Sequence, residues 1–327
     1  MSHINNRTLA SVMLAIAGAA FSGIAGAQTW PTKPLKIINP FPAGGGTDAF
    51  ARPLAAKLAP DLGKQVLIEN LGGAGGTLGA GTAARAPGDG YTWFMGAVHH
   101  TIAETLYRKL NYNLVRDFVP VTVAAYVPNA IVVHPSLPVK SVKELIALEK
   151  KNPGKINYGS AGYGTTHHMI GELYNLQTGS KLVHVPFKGA GPLTPALISG
   201  EVDMAFDGMA TAAPYIKAGR MRALAVTSAQ RAEVLPDVPT MQEVGFKDFT
   251  VTTWYGLWAI KGTPAPVIDK MYQASVKAMA LPDMKKLWSS LGATAGGQTP
   301  AEFDKFVKSE IAAWGKVVKS SGAKVEN

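Results

Sequence analysis

The chain has 327 residues, which is long enough for two domains of ordinary size with a substantial core. It contains no cysteine, which excludes disulfides, thiolate metal sites and cysteine nucleophiles. The formal net charge of +10 can attract anionic ligands. The lysines and arginines are spread along the chain without a basic run or an interleaved aromatic stripe, so the composition argues against nucleic-acid binding.

Residues 1–27 have the pattern of a secretory signal peptide. Met1 to Arg7 is polar with one positive charge, Leu9 to Ile24 is apolar, and Ala25-Gly26-Ala27 is a cleavage site of the A-x-A type. The alternative, an uncleaved membrane anchor, needs a longer apolar stretch than this one. No later stretch is long and apolar enough to cross a bilayer, so we predict an exported and soluble mature chain.

The segment that follows predicts a strand, a glycine loop and a helix in succession. Leu35–Ile38 is short, apolar and rich in β-branched residues, which is typical of a strand. Pro40 and Pro42 end it, because proline cannot donate a hydrogen bond to a neighbouring strand. The loop Ala43–Asp48 then leads into a helix over Asp48–Leu58, in which apolar residues recur at helical spacing.

This loop has the composition of an anion-binding site. The three glycines Gly44–Gly46 allow the backbone to approach a ligand closely, and Thr47 and Asp48 are good N-cap residues. Free N–H groups and the positive end of the helix dipole favour an anion there, provided that the Asp48 carboxylate turns away to cap the helix. Phe41, just before the loop, is a candidate wall for a ligand cleft.

The same residues partly imitate a dinucleotide-binding fingerprint. Gly44 to Ala49 fits G-x-G-x-x-A, and Glu69 ends the next predicted strand. The prolines before the loop lengthen the turn, and an exported chain lies away from nicotinamide cofactors. We therefore favour an anion-binding loop over a dehydrogenase site, with a purely structural glycine turn as the remaining alternative.

The rest of the chain alternates strands and helices with glycine at the strand ends, which is typical of an α/β fold with a largely parallel sheet. The further predicted strands are Gln65–Glu69, Tyr91–Met95, Val119–Ala125, Asn129–Val133, Ile156–Tyr158, Leu182–Val185, Met204–Phe206, Arg222–Thr227 and Val251–Ala259. The further predicted helices are Leu78–Ala86, Ser141–Lys150, His167–Thr178, Leu193–Ser199, Ala212–Ala218, Ala265–Met279, Asp283–Leu291 and Pro300–Lys319. Gly96–Thr101 is expected to be a loop, and Pro128 is expected to separate two apolar runs.

The strand-plus-glycine-loop pattern occurs in two halves of the chain, so we predict two lobes. The first lobe comprises residues 28–126 and 251–327, and the second comprises residues 127–250. The chain crosses between them near Ala125–Pro128 and again near Phe249–Thr253. Right-handed crossovers place the glycine loops at one edge of the sheet.

A serine in the second half resembles a hydrolase nucleophile. Ser160 stands between Gly159 and Gly162, but the first position of the G-x-S-x-G elbow is Tyr158 rather than glycine. No acid and base partners for Ser160 can be identified from the sequence. An exported serine hydrolase is an alternative, and the simpler interpretation is a nest of N–H groups and a hydroxyl that faces a ligand oxygen.

Two histidine pairs, His99-His100 and His167-His168, lie in or beside predicted loops. Adjacent residues point in different directions, so neither pair is the i, i+4 arrangement of a helical metal site, and we predict no metal. A surface or core role is the alternative for each ring. The loop positions of His99 and His167 favour contact with a ligand.

Two charged residues lie in or next to predicted ligand-binding loops. Lys188 lies beside a glycine turn, where it is either solvated or able to hold the second charge of a dianion. Asp207 ends a strand, where it either caps a helix or accepts from a ligand or a bound water. Trp254 and Tyr255 are better explained as core or inter-lobe packing than as a stacking platform.

Six segments, in order, carry a resemblance to one family: PFPAGGGTDAFAR, ENLGGAGGTLGAGTAARAPGDGYT, GSAGYGTTHHMIGELY, VPFKGAGP, VDMAFDG and RALAVTSAQRAEVLPDVPTMQEVGF. The chain resembles the Bug-type receptors, the periplasmic solute-binding components of tripartite tricarboxylate transporters. The resemblance covers nearly the whole chain from Trp30 onward, and several independent motifs agree.

The resemblance implies two α/β lobes, each a mostly parallel sheet flanked by helices, that close on a small carboxylate like a Venus flytrap, without enzymatic activity or a cofactor. One loop from each lobe grips a carboxyl group, here Ala43–Asp48 and Ser160–Thr166. Ala97–Thr101 and the FKGAGP loop reach the distal part of the ligand. Together with the residues singled out above, the candidate ligand-binding set is Phe41, Ala43, Gly44, Gly45, Gly46, Thr47, Asp48, His99, Thr101, Ser160, Gly162, Thr165, Thr166, His167, Lys188, Gly189 and Asp207.

Three positions depart from the family pattern. Val98-His99-His100 stands where small residues, often serine, are usual. His167 stands where a small residue usually precedes the helix histidine, so that His168 matches the family position, and Gly208 replaces a common asparagine. The added imidazoles indicate a ligand with a second polar end, such as a dicarboxylate or an aromatic carboxylate.

We therefore predict a monomeric periplasmic receptor that captures a small organic carboxylate and presents it to the membrane subunits of a transporter. A periplasmic sensor that docks on a signalling protein is an alternative, because docking surfaces leave no motif in this sequence. The exported serine hydrolase is the other alternative.

Overall fold

A computed structural model describes residues 30–324, so the predicted signal peptide, residues 1–27, lies outside the described part. The strands are β1 Leu35–Asn39, β2 Val66–Asn70, β3 Thr92–Ala97, β4 Phe118–Val133, β5 Asn157–Ser160, β6 Val183–Pro186, β7 Met204–Gly208, β8 Arg222–Val226, β9 Thr252–Ile260 and β10 Thr294–Ala295. The helices are α1 Gly46–Leu62, α2 Thr77–Ala84, α3 Val98–Leu106, α4 Leu114–Asp117, α5 Val142–Lys151, α6 Thr166–Thr178, α7 Ala190–Ser199, α8 Met209–Lys217, α9 Ala265–Ala280, α10 Pro282–Ser290 and α11 Pro300–Ser321, with a 3₁₀ turn at Ala74–Gly76.

The strands form one curled sheet in the order β2-β1-β3-β9-β4-β7-β5-β6, and β8 and β10 also pair with β4. We call the half with β1, β2, β3 and β9 the first lobe, and the half with β5 to β8 the second lobe. The predicted two-lobed α/β fold is confirmed. Parallel pairing holds among β1, β2 and β3 and among β5, β6 and β7, whereas β4 and β9 pair antiparallel.

Strand β4 belongs to both lobes. Residues up to Pro128 pair with β9, and residues from Asn129 onward pair with β7 and β8. The sequence predicted two strands here because proline cannot donate to a ladder. Pro128 is tolerated because it lies where one set of partners ends and the next begins. A second crossing is fixed by Thr227, whose N–H donates to the Asn129 carbonyl (2.8 Å) and whose carbonyl accepts from Val251 N–H (2.9 Å).

Apolar cores lie on both faces of the sheet. Trp93 and Phe94 are neighbours on β3, and both are fully buried, each in a different core cluster. Successive strand residues point to opposite faces, so a strand covered on both sides is apolar at every position. Helices therefore flank the sheet on both faces, and the connecting loops are left at its edges.

The segment Gly96–Thr101, predicted to be a loop, is the end of β3 and the start of helix α3. Val98, Ile102 and Leu106 recur every four residues and are buried, so the helical period was present in the sequence. The prediction of a loop was based on the two adjacent histidines and did not take this helical period into account. The His100 ring lies in the core, where its Nδ1 accepts the Ala97 N–H at 3.0 Å.

Candidate functional site

Five helices begin around one small cavity between the lobes. Helices α1 and α3 follow strands β1 and β3 of the first lobe, and helices α6, α7 and α8 follow β5, β6 and β7 of the second. The cavity has a volume of about 30 Å³. It is lined by Phe41, Gly45, Gly46, Thr47, His99, Ala161, Thr165, His167, Ala190, Gly208, Ala210, Thr211 and Tyr255. We call it the inner cavity.

The helix N-termini leave backbone donors available at this point. The N-cap residues Gly45, Ala97, Gly189 and Gly208 supply no side-chain cap to the N–H groups of the first turn. Only Thr165 caps its helix, accepting the His168 N–H at 3.4 Å. The first turn of each helix has N–H groups without an intrahelical partner, and the helix dipole adds positive potential. Convergence of five such ends creates a site for an anion.

A larger cavity of about 400 Å³ lies next to the inner cavity. Phe41 and Ala161 line both. The outer cavity, as we call it, is also lined by Gly162, Tyr163, Phe187 and Lys188 of the second lobe and by Gly73–Gly75 and Tyr107 of the first. The two cavities together provide a small inner chamber and a larger outer chamber with one lysine on its wall.

The structure brings the two predicted grip loops together. Gly45, Gly46 and Thr47 of the first loop line the inner cavity opposite Ala161 and Thr165 of the second. Of the other candidates, Phe41, His99 and His167 line the inner cavity, and Phe41, Gly162 and Lys188 line the outer one. The candidates that line neither cavity are Ala43, Gly44, Asp48, Thr101, Ser160, Thr166, Gly189 and Asp207.

The Asp48 carboxylate is turned away from the cavity. It accepts from the Arg52 guanidinium at 2.7 Å, from the Gly44 N–H at 3.2 Å and from Asn70 at 3.2 Å. Burial raises the Asp48 pKa, but the hydrogen bonds from Arg52, Gly44 and Asn70 and the charge of Arg52 together outweigh it and hold this pKa below its usual value. Asp48 therefore stabilises the glycine loop through these hydrogen bonds. Its negative charge is neutralised by the ion pair with Arg52 and does not face the cavity in which an anion would bind.

Ser160 is fully buried and has a structural set of partners. Its hydroxyl lies 2.6 Å from His184 Nε2 and accepts the Gly162 N–H at 3.0 Å. The His184 ring stacks on His168, with ring centroids 4.3 Å apart. Burial lowers the pKa of His184 to about 3, which keeps the ring neutral. Ser160 thus shapes the second grip loop and lines neither cavity.

Thr101 and Thr166 are also buried behind the wall. The Thr101 hydroxyl donates to the Val98 carbonyl at 2.6 Å, within its own helix. The Thr166 hydroxyl has no partner among residues 30–324. The Ala97–Thr101 stretch was expected to reach the distal part of a ligand, but His99 lines the same inner cavity as the grip loops. This position follows from the helix that begins at Val98.

His99 and His167 face each other's lobe across the inner cavity and are 7% and 8% exposed. Burial lowers the pKa of both rings, so both are neutral near pH 7. His167 Nε2 lies 3.6 Å from Asp207 Oδ1, which also accepts from the Gly208 N–H and the Thr211 hydroxyl. Burial raises the pKa of Asp207 despite these contacts. Asp207 is therefore placed behind His167 and not on the cavity wall.

Tyr255 and Thr211 complete the inner cavity and were missed by the sequence analysis. Tyr255 lies on β9 with its ring stacked on Phe50 at 5.1 Å, and its hydroxyl lies against Gly46, where a side chain would collide with it. The sequence favoured a packing role, and the ring does pack. Thr211 is in the first turn of α8, and a hydroxyl two residues after a Gly-Met pair gave no recognisable signal.

The lobes touch at the rim of the outer cavity. The Tyr107 hydroxyl lies 3.0 Å from the Ala74 carbonyl oxygen of its own lobe and 3.2 Å from the Tyr163 carbonyl oxygen of the other. Gly75 lies between these groups with φ +62°, and a Cβ there would lie 2.8 Å from the Tyr107 hydroxyl. This contact, which we call the rim contact, depends on the bare glycine backbone.

A cavity of about 590 Å³, larger than the inner and outer cavities, lies elsewhere. It is next to the crossing strands, with Pro128 and Trp254 in its wall together with Arg231 and Glu310. None of the helices within residues 30–324 begins there, and the Arg231 guanidinium is paired with Glu243 at 2.9 Å. The inner cavity has the donors that an anion needs, so it is the better candidate despite its smaller volume.

Two further observations concern the described residues only. No group of three or more histidine, aspartate or glutamate side chains within residues 30–324 is arranged to hold a metal ion. None of the helices in this part of the chain combines the length and apolar character needed to span a bilayer.

The two-lobed α/β fold with a cavity between the lobes, at which five helices begin, is that of a solute-binding protein of the periplasmic type. Residues 50–323 match the family model of the tripartite tricarboxylate transporter family receptors (TctC). The chain is similar to a UPF0065 protein of Agrobacterium vitis, with 38% identity over 326 residues covering 98% of this chain and 93% of the relative. It is also similar to the protein BugT of Bordetella pertussis, with 34% identity over 322 residues covering 98% and 99%.

Solved structures of similar proteins support the same family assignment. The periplasmic binding protein BugD superposes with a TM-score of 0.87 at 36% identity over 91% of this chain and 100% of its own. An R. palustris protein solved with adipate gives 0.87 at 35% identity over 90% and 98%. MatC of Rhodopseudomonas palustris, solved with malate, gives 0.85 at 33% identity over 88% and 100%. The chain therefore belongs to the tripartite tricarboxylate transporter receptor family, as its sequence resemblance predicted, and it is a solute-binding receptor and not an enzyme.

Proposed function

We propose that this receptor works in the periplasm, where it captures a small organic carboxylate between its lobes and presents it to the membrane subunits of a tripartite tricarboxylate transporter. The observation that carries the proposal is the convergence of five helix N-termini, two from the first lobe and three from the second, on the inner cavity. Only a ligand that reaches donors of both lobes stabilises the closed form.

A carboxylate group suits the inner cavity. Thr47 stands in the first turn of α1 and lines the cavity, so a hydroxyl and backbone N–H groups of the first lobe are close to it. Thr165 is the N-cap of α6, and its hydroxyl already donates to the Gly162 carbonyl at 2.7 Å, so the second lobe contributes the backbone N–H groups at the starts of its helices. Hydrogen bonds to a charged acceptor are stronger than neutral ones, and a closed site keeps water from competing for them. Micromolar affinity, about −8 kcal/mol, is within reach of a small ligand held by several such bonds.

The outer cavity provides for the rest of the ligand. A volume of about 30 Å³ is too small for a whole dicarboxylate, so its remainder has to extend past Phe41 and Ala161. Lys188 then lies beside the distal end, where it favours a second negative charge. An aromatic acid, whose ring would lie against Phe41 and Phe187, is the other ligand that this arrangement suits.

A thermal-shift panel tests the proposal. Aliphatic dicarboxylates such as adipate and malate, aromatic acids such as benzoate, and amino acids are added to the mature chain, and a binder raises the unfolding midpoint by mass action. Calorimetry then measures affinity. Failure of every carboxylate to raise the midpoint, up to millimolar concentration, contradicts the proposal.

The site is tested with a matched pair of variants. Thr47→Val removes the hydroxyl at the start of α1, and we expect a loss of about 1–3 kcal/mol in binding free energy. Thr82→Val is the control, because the Thr82 hydroxyl donates only to the Leu78 carbonyl of its own helix at 3.0 Å. Equal affinities for the two variants remove Thr47 from the site.

A further inference from the structure

The His167–Asp207 pair stands between the ligand cavity and the protein interior, and the proposed function gives it no chemical task. His167 is on the cavity wall, Asp207 is fully buried behind it, and His167 Nε2 is 3.6 Å from Asp207 Oδ1. The other ring nitrogen, His167 Nδ1, is buried and has no partner among residues 30–324. The same holds for the second carboxylate oxygen, Asp207 Oδ2.

The number of protons on this pair determines how strongly it can bind a carboxylate. A neutral imidazole has one N–H, which can point either to Asp207 or towards the cavity. If Asp207 is ionised on one side of the neutral ring and a ligand carboxylate lies on the other, only one of these anions can receive the N–H. The unprotonated ring nitrogen would then direct its lone pair at the other anion, which is repulsive. A ring with both nitrogens protonated donates to both anions at once.

We propose that the His167–Asp207 pair takes up one proton from solvent when a carboxylate enters the inner cavity, so that the His167 ring donates to the ligand through one nitrogen and to Asp207 through the other. This inference rests on the proposed function and concerns the protonation of the same site. His167 is then a ligand-binding residue, and Asp207 is a positioning residue that holds the ring and its charge.

The groups around His167 support the ring's neutral state in the free protein. His99 on α3 lies across the cavity, and its burial keeps its pKa well below the ordinary value. Tyr255 on β9 is near Asp207 and remains protonated, since burial raises its pKa further. His168, the next residue on α6, has its Nε2 3.8 Å from Glu172. Asp207 on β7 is therefore the only acidic group of the described residues in ion-pair range of the His167 ring.

A bound carboxylate changes this balance. Burial alone disfavours the charged imidazolium, which is why the pKa of His167 is lowered in the free protein. A second anion within hydrogen-bond distance favours the charged form, and the low polarity of the closed cavity strengthens the attraction. The proton uptake is therefore linked to binding, and affinity has to fall as the pH rises above the range in which the free pair is already protonated.

The test is calorimetry at pH 8 in two buffers with very different ionisation enthalpies, phosphate and Tris, with adipate, malate and benzoate as probes. The difference in observed enthalpy between the buffers gives the number of protons taken up. We expect a value close to one and, between pH 7 and 8.5, an affinity that falls towards tenfold per pH unit.

Variants identify the group responsible. His167→Asn and, as a second route if that variant folds poorly, Asp207→Asn should bring the proton number close to zero. His134→Asn is the control, because His134 lies outside both cavities with its Nδ1 2.7 Å from Ser136. Its proton number should match that of the unaltered chain.

Each outcome is decisive. Binding without proton uptake in the unaltered chain overturns this inference and leaves the proposed function standing. Uptake that survives in both His167→Asn and Asp207→Asn also overturns it. An absence of binding by all probes at every pH contradicts the proposed function, and this inference is then rejected with it.

Discussion

Gly75 lies at the rim contact, and replacing it with alanine should hold the two lobes apart. A Cβ at this position would lie 2.8 Å from the Tyr107 hydroxyl and would also run into the Tyr163 carbonyl of the other lobe. The lobes must separate by about 1 Å to restore a van der Waals distance. The Tyr107 hydroxyl, now 3.2 Å from the Tyr163 carbonyl oxygen, loses this acceptor with that movement and keeps the Ala74 carbonyl of its own lobe at 3.0 Å.

The expected effect on affinity combines two costs of the closed form. Because the single Tyr107 proton keeps the Ala74 carbonyl, the loss of the Tyr163 carbonyl costs up to about 1 kcal/mol. The displaced closing contacts add a similar amount, so ligand binding should weaken by about 1–2 kcal/mol, or 5- to 30-fold. Alanine at φ +62° also introduces backbone strain of about 1–2 kcal/mol. That strain is present in the open and closed forms alike, so it lowers the unfolding midpoint but not the affinity.

A matched control separates strain from closure. Gly63 has φ +68° and lies at the end of α1, where an added Cβ would meet nothing within 4 Å. Gly63→Ala should lower the unfolding midpoint as Gly75→Ala does and leave affinity unchanged. Calorimetry with a probe acid, and small-angle scattering of the ligand-free chain, measure the two effects. Equal affinities for Gly75→Ala and Gly63→Ala refute the role given to the rim contact.

The other predictions concern buried hydrogen bonds and histidines. Ser160→Ala leaves His184 Nε2 and the Gly162 N–H without their partner, so the unfolding free energy should fall by about 1–3 kcal/mol; labelling of Ser160 by a serine-directed phosphonate would contradict this purely structural role. His100 has its pKa lowered to about 4 by burial, so the neutral ring stabilises the fold fully above pH 6.5, and this stability is lost as the pH falls towards 4. His100→Asn should therefore unfold with a weaker pH dependence than the unaltered chain between pH 6.5 and 4, by up to about 1.4 kcal/mol per pH unit; parallel curves from urea titrations at each pH would show that His100 is not the titrating group.

The sequence was informative wherever local chemistry decides the structure. A β-branched run, two prolines and three glycines before Thr47 were enough to predict strand β1, the loop and helix α1. The same reasoning found the second grip loop around Ser160. The family resemblance then joined the two loops in one cleft, and the structure brings them to the same cavity.

What the sequence left out depends on distant parts of the chain. Pro128 was interpreted as a break because the strands that make it tolerable, β9 and β7, are far from it in the sequence and become its neighbours only through folding. Helix α3 was not predicted, because His99 and His100 were interpreted as part of a ligand loop and the helical spacing of the buried residues Val98 and Ile102 was not used. Asp207 lies behind His167 because strands β5 and β7 are neighbours in the sheet. The order of strands in a sheet cannot be read from a local sequence pattern.

Strand β9 has a consequence for how the polypeptide acquires its shape during synthesis. It fits between β3 and β4, although the ribosome makes it after every strand of the second lobe. Until Ile260 has been added, the nascent first lobe has a gap at the middle of its sheet and cannot complete its core. Such a delay keeps the newly made chain unfolded until a late stage of translation, which would suit the periplasmic location proposed above.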